Sequence, residues 1–278
     1  MDHNIPKIVL DLYDYRANIY AKSDNITTSD DLPTFDTIRQ RTEFIFNWLY
    51  ETHGYKKFID TAKKMKKLEG LEGDDFITAK GLIAELVLLC SINEWIKQTG
   101  TNEWRVVREL YVPHRNGTGI TEIDIILYSV YSIIVFEVKS YSGVKTLTDI
   151  CTINTKRSYD LFSQNGLHIE SLYKQLTHLN TSTIGAFKSA YFNFSHGDVV
   201  DNRTVRNKQL IPVIDETNIF SFLESMRRNC VHITWDRKIH EKISDLRTSG
   251  ITREQHMKQF ENNENEEVDN HGEENNNI

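Results

Sequence analysis

The clearest patterning begins near residue 75. GLIAELVLLCSINEWIKQ is apolar nearly all round, which predicts a helix buried on every side. WRVVREL and TEIDIILYS then read as strands, and the β-branched and aromatic run SIIVFEVKSY suits a central strand covered on both faces. A polar stretch follows, then a helix near IESLYKQLTHL, a strand at QLIPVID, a helix at IFSFLESMRR, a short strand at VHITW and a closing helix at KIHEKISDL. Helices alternating with strands in this way predict an α/β fold with a mixed sheet.

Upstream, residues 1 to about 73 read as mostly helical, with a loop around SDNITTSDDLPTFD where Pro33 and the polar cluster break the pattern. YKKFIDTAKKMKKLEG places Phe58, Ile59, Ala62 and Met65 at helical spacing, and its lysine pairs fall on the opposite, solvated face. HGDVVDN, with His196, Asp198 and Asp201, reads as a polar loop rather than a second metal site.

Composition refines this picture in two places. The net charge of -7 is a property of the tail: residues 261–278 hold seven acids and no Lys or Arg, and the other 33 acids balance the 33 Lys and Arg. Such a tail buries too little apolar surface to offset its ordering entropy. The expected organisation is an N-terminal helical region (1–73), one main domain (74–250) and an acidic, Asn-rich disordered tail (251–278). No apolar run approaches the roughly 20 residues needed to span a bilayer, and MDHNIPKIVL has no signal-peptide pattern, so no membrane contact and a cytoplasmic protein are expected. Cys90, Cys151 and Cys230 are scattered and have no metal-ligand spacing, which predicts reduced thiols.

The chemistry gathers on the two strands around Ser129, Val130, Tyr131 and Ser132. If this tetrapeptide is a tight connection, Tyr128 pairs with Ile133 and Ile126 with Val135, and Asp124 then lies opposite Glu137. Alternation puts Lys139 on the face of Glu137. Two carboxylates about 5 Å apart repel by roughly 3 kcal/mol at an effective dielectric near 20. A hard divalent cation, which takes one or two carboxylates plus water and phosphate oxygens, would offset that repulsion. Glu85 rises from a helix face lined by Gly81, Leu82, Leu88, Leu89 and Ile92, where an unpaired charge is costly. The structural alternatives are a same-face salt bridge for Glu137 and Lys139, and pairing of Glu85 with Arg105 or Arg108.

GLIAEL followed by TEIDIILYSVYSIIVFEVKSYSGV resembles the nuclease-related domain, NERD, of the PD-(D/E)XK nuclease superfamily. The matching elements are Gly81 and Glu85, then Ile123 and Asp124, then Glu137, Lys139, Tyr141 and Gly143, with Gln175 and His178 similar to a later helical element. The usual Trp after the Glu-x-Lys strand and the Asn-Pro before the Gln are absent from TLTDICTINTKRSYDLFSQNG. The resemblance implies a restriction-endonuclease-like core with a central mixed β-sheet flanked by helices, here with an N-terminal helical extension. It further implies metal held by Asp124, Glu137, the Val138 carbonyl and Glu85, with Mg2+ or Mn2+ as the cofactor. Lys139 would position the attacking water, and Gln175 would steady the site or the nucleic-acid backbone.

The expected function is metal-dependent phosphodiester hydrolysis in nucleic acid, DNA rather than RNA, within a defence or repair system. The alternative is a catalytically silent module that binds nucleic acid or a protein. Phosphate contacts would come from Lys145, Lys156, Arg157, Arg203, Arg206, Lys208, Arg227 and Arg228, and the N-terminal helices could bind a protein partner or a second copy.

Overall fold

The computed structural model describes residues 38–66, 74–115, 117, 119–148, 151–154, 157–177, 187–229 and 237–259. The expected loop at Pro33, the strand VHITW, Lys156, His178, Cys230 and the acidic residues from 261 onward lie outside them.

Helix α1 (Ile38–Lys66) breaks at Gly54, where φ is 76° and a side chain would be strained. Its second half buries the expected Phe58, Ile59, Ala62 and Met65. Helix α2 (Asp74–Thr99) is covered on all sides between Ala79 and Ile92, with Leu82, Leu86, Leu88 and Ile92 almost fully buried. Strands β1 (Arg105–Pro113), β2 (Ile120–Tyr128) and β3 (Ile133–Lys139) form an antiparallel meander in the expected register, Tyr128 with Ile133 and Ile126 with Val135. The Ser129 amide donates to the Ser132 carbonyl at 2.9 Å and closes the four-residue connection.

The polar stretch that follows is more ordered than its composition suggests. It forms β4 (Lys145–Leu147), β5 (Cys151–Ile153) and β6 (Arg157–Tyr159), an antiparallel set too short to show periodicity. Helix α3 (Leu161–Leu176) starts well before IESLYKQLTHL because Asp160 caps it, accepting from the Ser163 amide at 2.9 Å. Strand β7 (Phe187–Asn193) was not anticipated and pairs parallel with the whole of β3. HGDVVDN contains a strand, β8 (Val199–Asp201), which pairs parallel with β4. Within QLIPVID, Gln209 and Leu210 end helix α4 (Val205–Leu210), capped by Thr204, and only β9 (Val213–Ile214) is strand. Helices α5 (Ile219–Arg228) and α6 (Ile239–Arg247) match the expected positions.

A last helix, α7 (253–259), lies inside the stretch expected to be disordered. It is held by specific polar contacts rather than apolar burial: the Gln259 amide accepts from Ile120 N–H at 2.9 Å and donates to Ile120 C=O at 2.7 Å.

The chain thus has two mixed sheets, ordered β1-β2-β3-β7-β9 and β6-β5-β4-β8, with seven helices among the described residues. One face of the larger sheet packs on α2, backed by α1 and α5, through Ile134, Phe136, Phe46 and Leu223. The other packs on α3 and α6 through Ile126, Val135, Leu172 and Ile243. Arrangement in layers around a buried β3 explains why that strand is apolar at nearly every position.

Candidate active site

The β2–β3 ladder ends at Ile125 and Phe136, one pair before Asp124 and Glu137. Beyond that point a side chain takes over from the backbone: Val138 N–H donates to Asp124 Oδ2 at 2.7 Å. Lys139 C=O turns the other way, accepting from Phe194 N–H at 2.9 Å. Because successive residues of a strand direct their amides and carbonyls to opposite sides, the Val138 carbonyl points with its N–H into the gap that holds Asp124.

Glu137 is 1% exposed, and neither of its oxygens has a well-aligned hydrogen bond. Its neighbours are the Lys139 ammonium, in direct ion-pair contact with Oε1, and His168 Nδ1, 3.4 Å from Oε2. Burial, then the charge of Glu137, pushes the Asp124 carboxyl well above the usual range. Burial works against the Lys139 charge, but Glu137 and Asp124 outweigh it and raise its proton affinity. His168 is pushed down, first by burial, which favours the neutral ring.

Simple alternation does not carry through this site. Register is constant along β1 and β2, but the step where Glu109 faces Asp124 carries no bridge, and Glu109 has a φ of 55°. On β1, Val107 and Leu110 both reach the core under α3, as do Ile123 and Ile126 on β2, so a spacing of three replaces two on both strands. The expected register holds for Tyr128–Ile133 and Ile126–Val135, and the ladder stops one pair before Asp124 and Glu137. What places Asp124 is its bond to Val138 and a cavity of about 500 Å3, lined also by Glu122, Gln164, Leu167, His168 and His256.

Glu85 lies on α2, on the opposite side of the sheet from α3, yet near enough to raise the Asp124 carboxyl further. Its partner is neither Arg105 nor Arg108 but Arg39 of α1, whose Nη2 is 3.7 Å from Oε2. Burial raises the Glu85 carboxyl, and Arg39 and then Arg108 oppose that shift. The structure brings Asp124, Glu137, Val138 and Lys139 together, with Glu85 behind them.

Gln175 is not brought to this group. It lies seven residues beyond His168 on α3, about 10 Å along the axis, and does not line the cavity. The side chains of α3 that face Asp124 are Gln164 and His168. Their i, i+4 spacing is a legible signal once Asp160 is recognised as the helix start. Two candidate phosphate contacts are also corrected. Lys145 is fully buried, donating to Tyr141 C=O, Ser195 Oγ and His196 C=O, and Arg203 is clamped on Asp201 by two bonds of 2.8 Å. Arg227 and Arg228 pair with Glu224, while Arg206 and Lys208 are exposed.

Among the described residues, no three His, Cys, Asp or Glu side chains converge as ligands of one ion. The donors that do converge are two carboxylates and one carbonyl. That set, with the unsatisfied oxygens of Glu137, fits a hard cation that keeps several waters and takes the rest of its shell from phosphate.

A mixed sheet between helical layers, with acids on two strands that part at the site, is consistent with a nuclease-like fold. Residues 80–192 match the family model of the nuclease-related domain, NERD, which is consistent with the PD-(D/E)XK superfamily. No curated protein matches the chain. Among solved structures, the crystal structure of protein VC1899 from Vibrio cholerae aligns at 12% identity over 82% of this chain, with a TM-score of 0.34. The chain spans about half of that protein, 52% of its length. No helix among the described residues is long and apolar enough to cross a membrane.

Proposed function

We propose that this protein is a divalent-metal-dependent nuclease that hydrolyses phosphodiester bonds, with DNA as its substrate. One observation carries the reading: the Asp124 carboxylate and Val138 carbonyl enter the same gap between β2 and β3, beside a buried Glu137 whose oxygens lack hydrogen bonds. Asp124, Glu137 and the Val138 carbonyl would hold Mg2+ or Mn2+. That ion would supply Lewis acidity at the scissile phosphate and lower the pKa of its bound water.

The chain's own groups have definite parts. Lys139, with its proton affinity raised, is a fixed positive charge at neutral pH and not a general base. It can donate to the attacking water or to a phosphate oxygen and offset the charge that builds in the transition state. His168, held neutral, orients Glu137 when its Nδ1 carries the proton. The cavity beside Asp124 gives the substrate backbone access.

A second reading, a silent module that binds without cutting, draws on a specific feature: Glu137 already has Lys139 as counter-ion and Glu85 has Arg39. Incubation with Mg2+ or Mn2+ on circular, linear and single-stranded DNA, and on RNA, separates the two. Cleavage lost in Asp124→Ala and Lys139→Ala supports the nuclease. Absence of cleavage, with both variants binding nucleic acid as wild type does, defeats it.

A further inference from the structure

Helix α1 lies wholly outside residues 80–192, yet it delivers a cation to the candidate site. Arg39 Nη2 bridges two acids: it is 3.7 Å from Glu85 Oε2 and in direct ion-pair contact with Glu109 Oε1. All three side chains are largely buried, at 18–24% exposure. A second pair ties the same elements, Arg108 Nη2 to Glu43 Oε1 at 2.5 Å.

The backbone of β1 supplies an independent sign that this contact is built. Glu109 is the residue directly opposite Asp124, and it is held at a φ of 55°. A left-handed conformation at a residue other than glycine is disfavoured and persists only where the surroundings impose it. Here it presents the Glu109 carboxylate to Arg39 and Arg108.

We propose that Arg39 is a positioning residue of the metal site: bridging Glu85 and Glu109, it fixes Glu85 beside Asp124, so that the N-terminal helix sets the site's affinity for its cation. The inference rests on the nuclease reading above. Without Arg39, Glu85 and Glu109 would keep only Arg108 as a nearby counter-ion, 3.7 Å from Glu109, and the left-handed Glu109 would lose its closer partner.

The test is calorimetric titration of the full chain with Mn2+. Loss of an outer partner that orients a ligand typically weakens metal binding 10- to 100-fold, so Arg39→Gln should weaken it about tenfold. Glu85→Gln should cause a similar loss, and the double variant no more than either alone. Arg39→Lys should retain most of the affinity. Lys66→Met, which breaks the 2.9 Å pair between α1 and Glu216, serves as a control for general loosening of the helix and should leave affinity unchanged. Unchanged or tighter binding in Arg39→Gln, additive losses in the double variant, or an equal loss in Lys66→Met overturns the inference and leaves the nuclease reading standing. A wild-type chain that binds no Mn2+ defeats both.

Discussion

The Asp124 carboxylate accepts a hydrogen bond from the Val138 amide at 2.7 Å, at the point where the ladder between their strands has ended. A side chain of β2 thus caps the open edge of β3, and the same bond that terminates the sheet holds an acid next to Glu137. Burial and the neighbouring charge of Glu137 both disfavour the ionised form of the Asp124 carboxyl in this arrangement.

Asp124→Asn keeps an oxygen to accept from Val138 and removes the charge that burial and Glu137 oppose. In chelator, the variant should be more stable than wild type by about 1 kcal/mol, a rise in Tm of about 2–4 °C for a domain of this size, while cleavage is lost. The sign of the pH dependence follows from the raised carboxyl. The folded state binds more protons than the unfolded one between the ordinary carboxylate value and the raised one. Wild-type stability in chelator should therefore fall as pH rises through that window, and the slope should shrink in Asp124→Asn. Thermal melts across pH, with and without Mn2+, check both statements.

Lys139→Met should abolish cleavage and also destabilise the fold, because it leaves Glu137 buried and without its ammonium partner. Breaking a buried pair from one side costs about 3–5 kcal/mol. Combining it with Glu137→Gln should recover most of that stability and none of the activity. Urea denaturation and a cleavage assay on the single and double variants read the two effects separately.

Lys145 is fully buried, and burial lowers its ammonium to about 8. The unfolded chain holds the proton up to about 10.4. Between these values the unfolded state binds more protons, so stability should rise with pH, while below about 8 the penalty is fully present. Denaturation midpoints between pH 7.5 and 10.5, compared with Lys145→Met, test this: the variant should lose the rise.

Gly197→Ala should be poorly tolerated. Gly197 has a φ of 98°, and a Cβ there would stand 2.5 Å from the Gly143 carbonyl oxygen. A loss of about 2 kcal/mol is expected from the combined strain and close approach. Gly166→Ala on α3 has open space and should be neutral or slightly stabilising. Melting curves of the two variants should differ in sign or by several degrees.

Local pattern went far in this chain because its strongest signals are short-range. The four-residue connection at Ser129–Ser132 set the β2–β3 register, and an all-round apolar α2 could only be internal. Strands β4, β5, β6 and β8 were invisible because three residues are too few for a period, and β7 because its partner is β3, some fifty residues earlier. Gln175 was named through the family resemblance, whereas the cavity is lined by Gln164, about three turns earlier on the same helix, whose capped start the polar sequence before it did not reveal.

By itself the sequence determined that Asp124, Glu137 and Lys139 would lie close together, since strand pairing across a short turn is a local property. The tertiary structure decided what surrounds them. The left-handed Glu109 opposite Asp124, Arg39 on Glu85 and His168 on Glu137 join residues 15, 46 and 31 positions apart, on elements brought together by packing. No periodicity records such contacts, because they depend on which faces of α1, α3 and β1 are turned toward the sheet's open end.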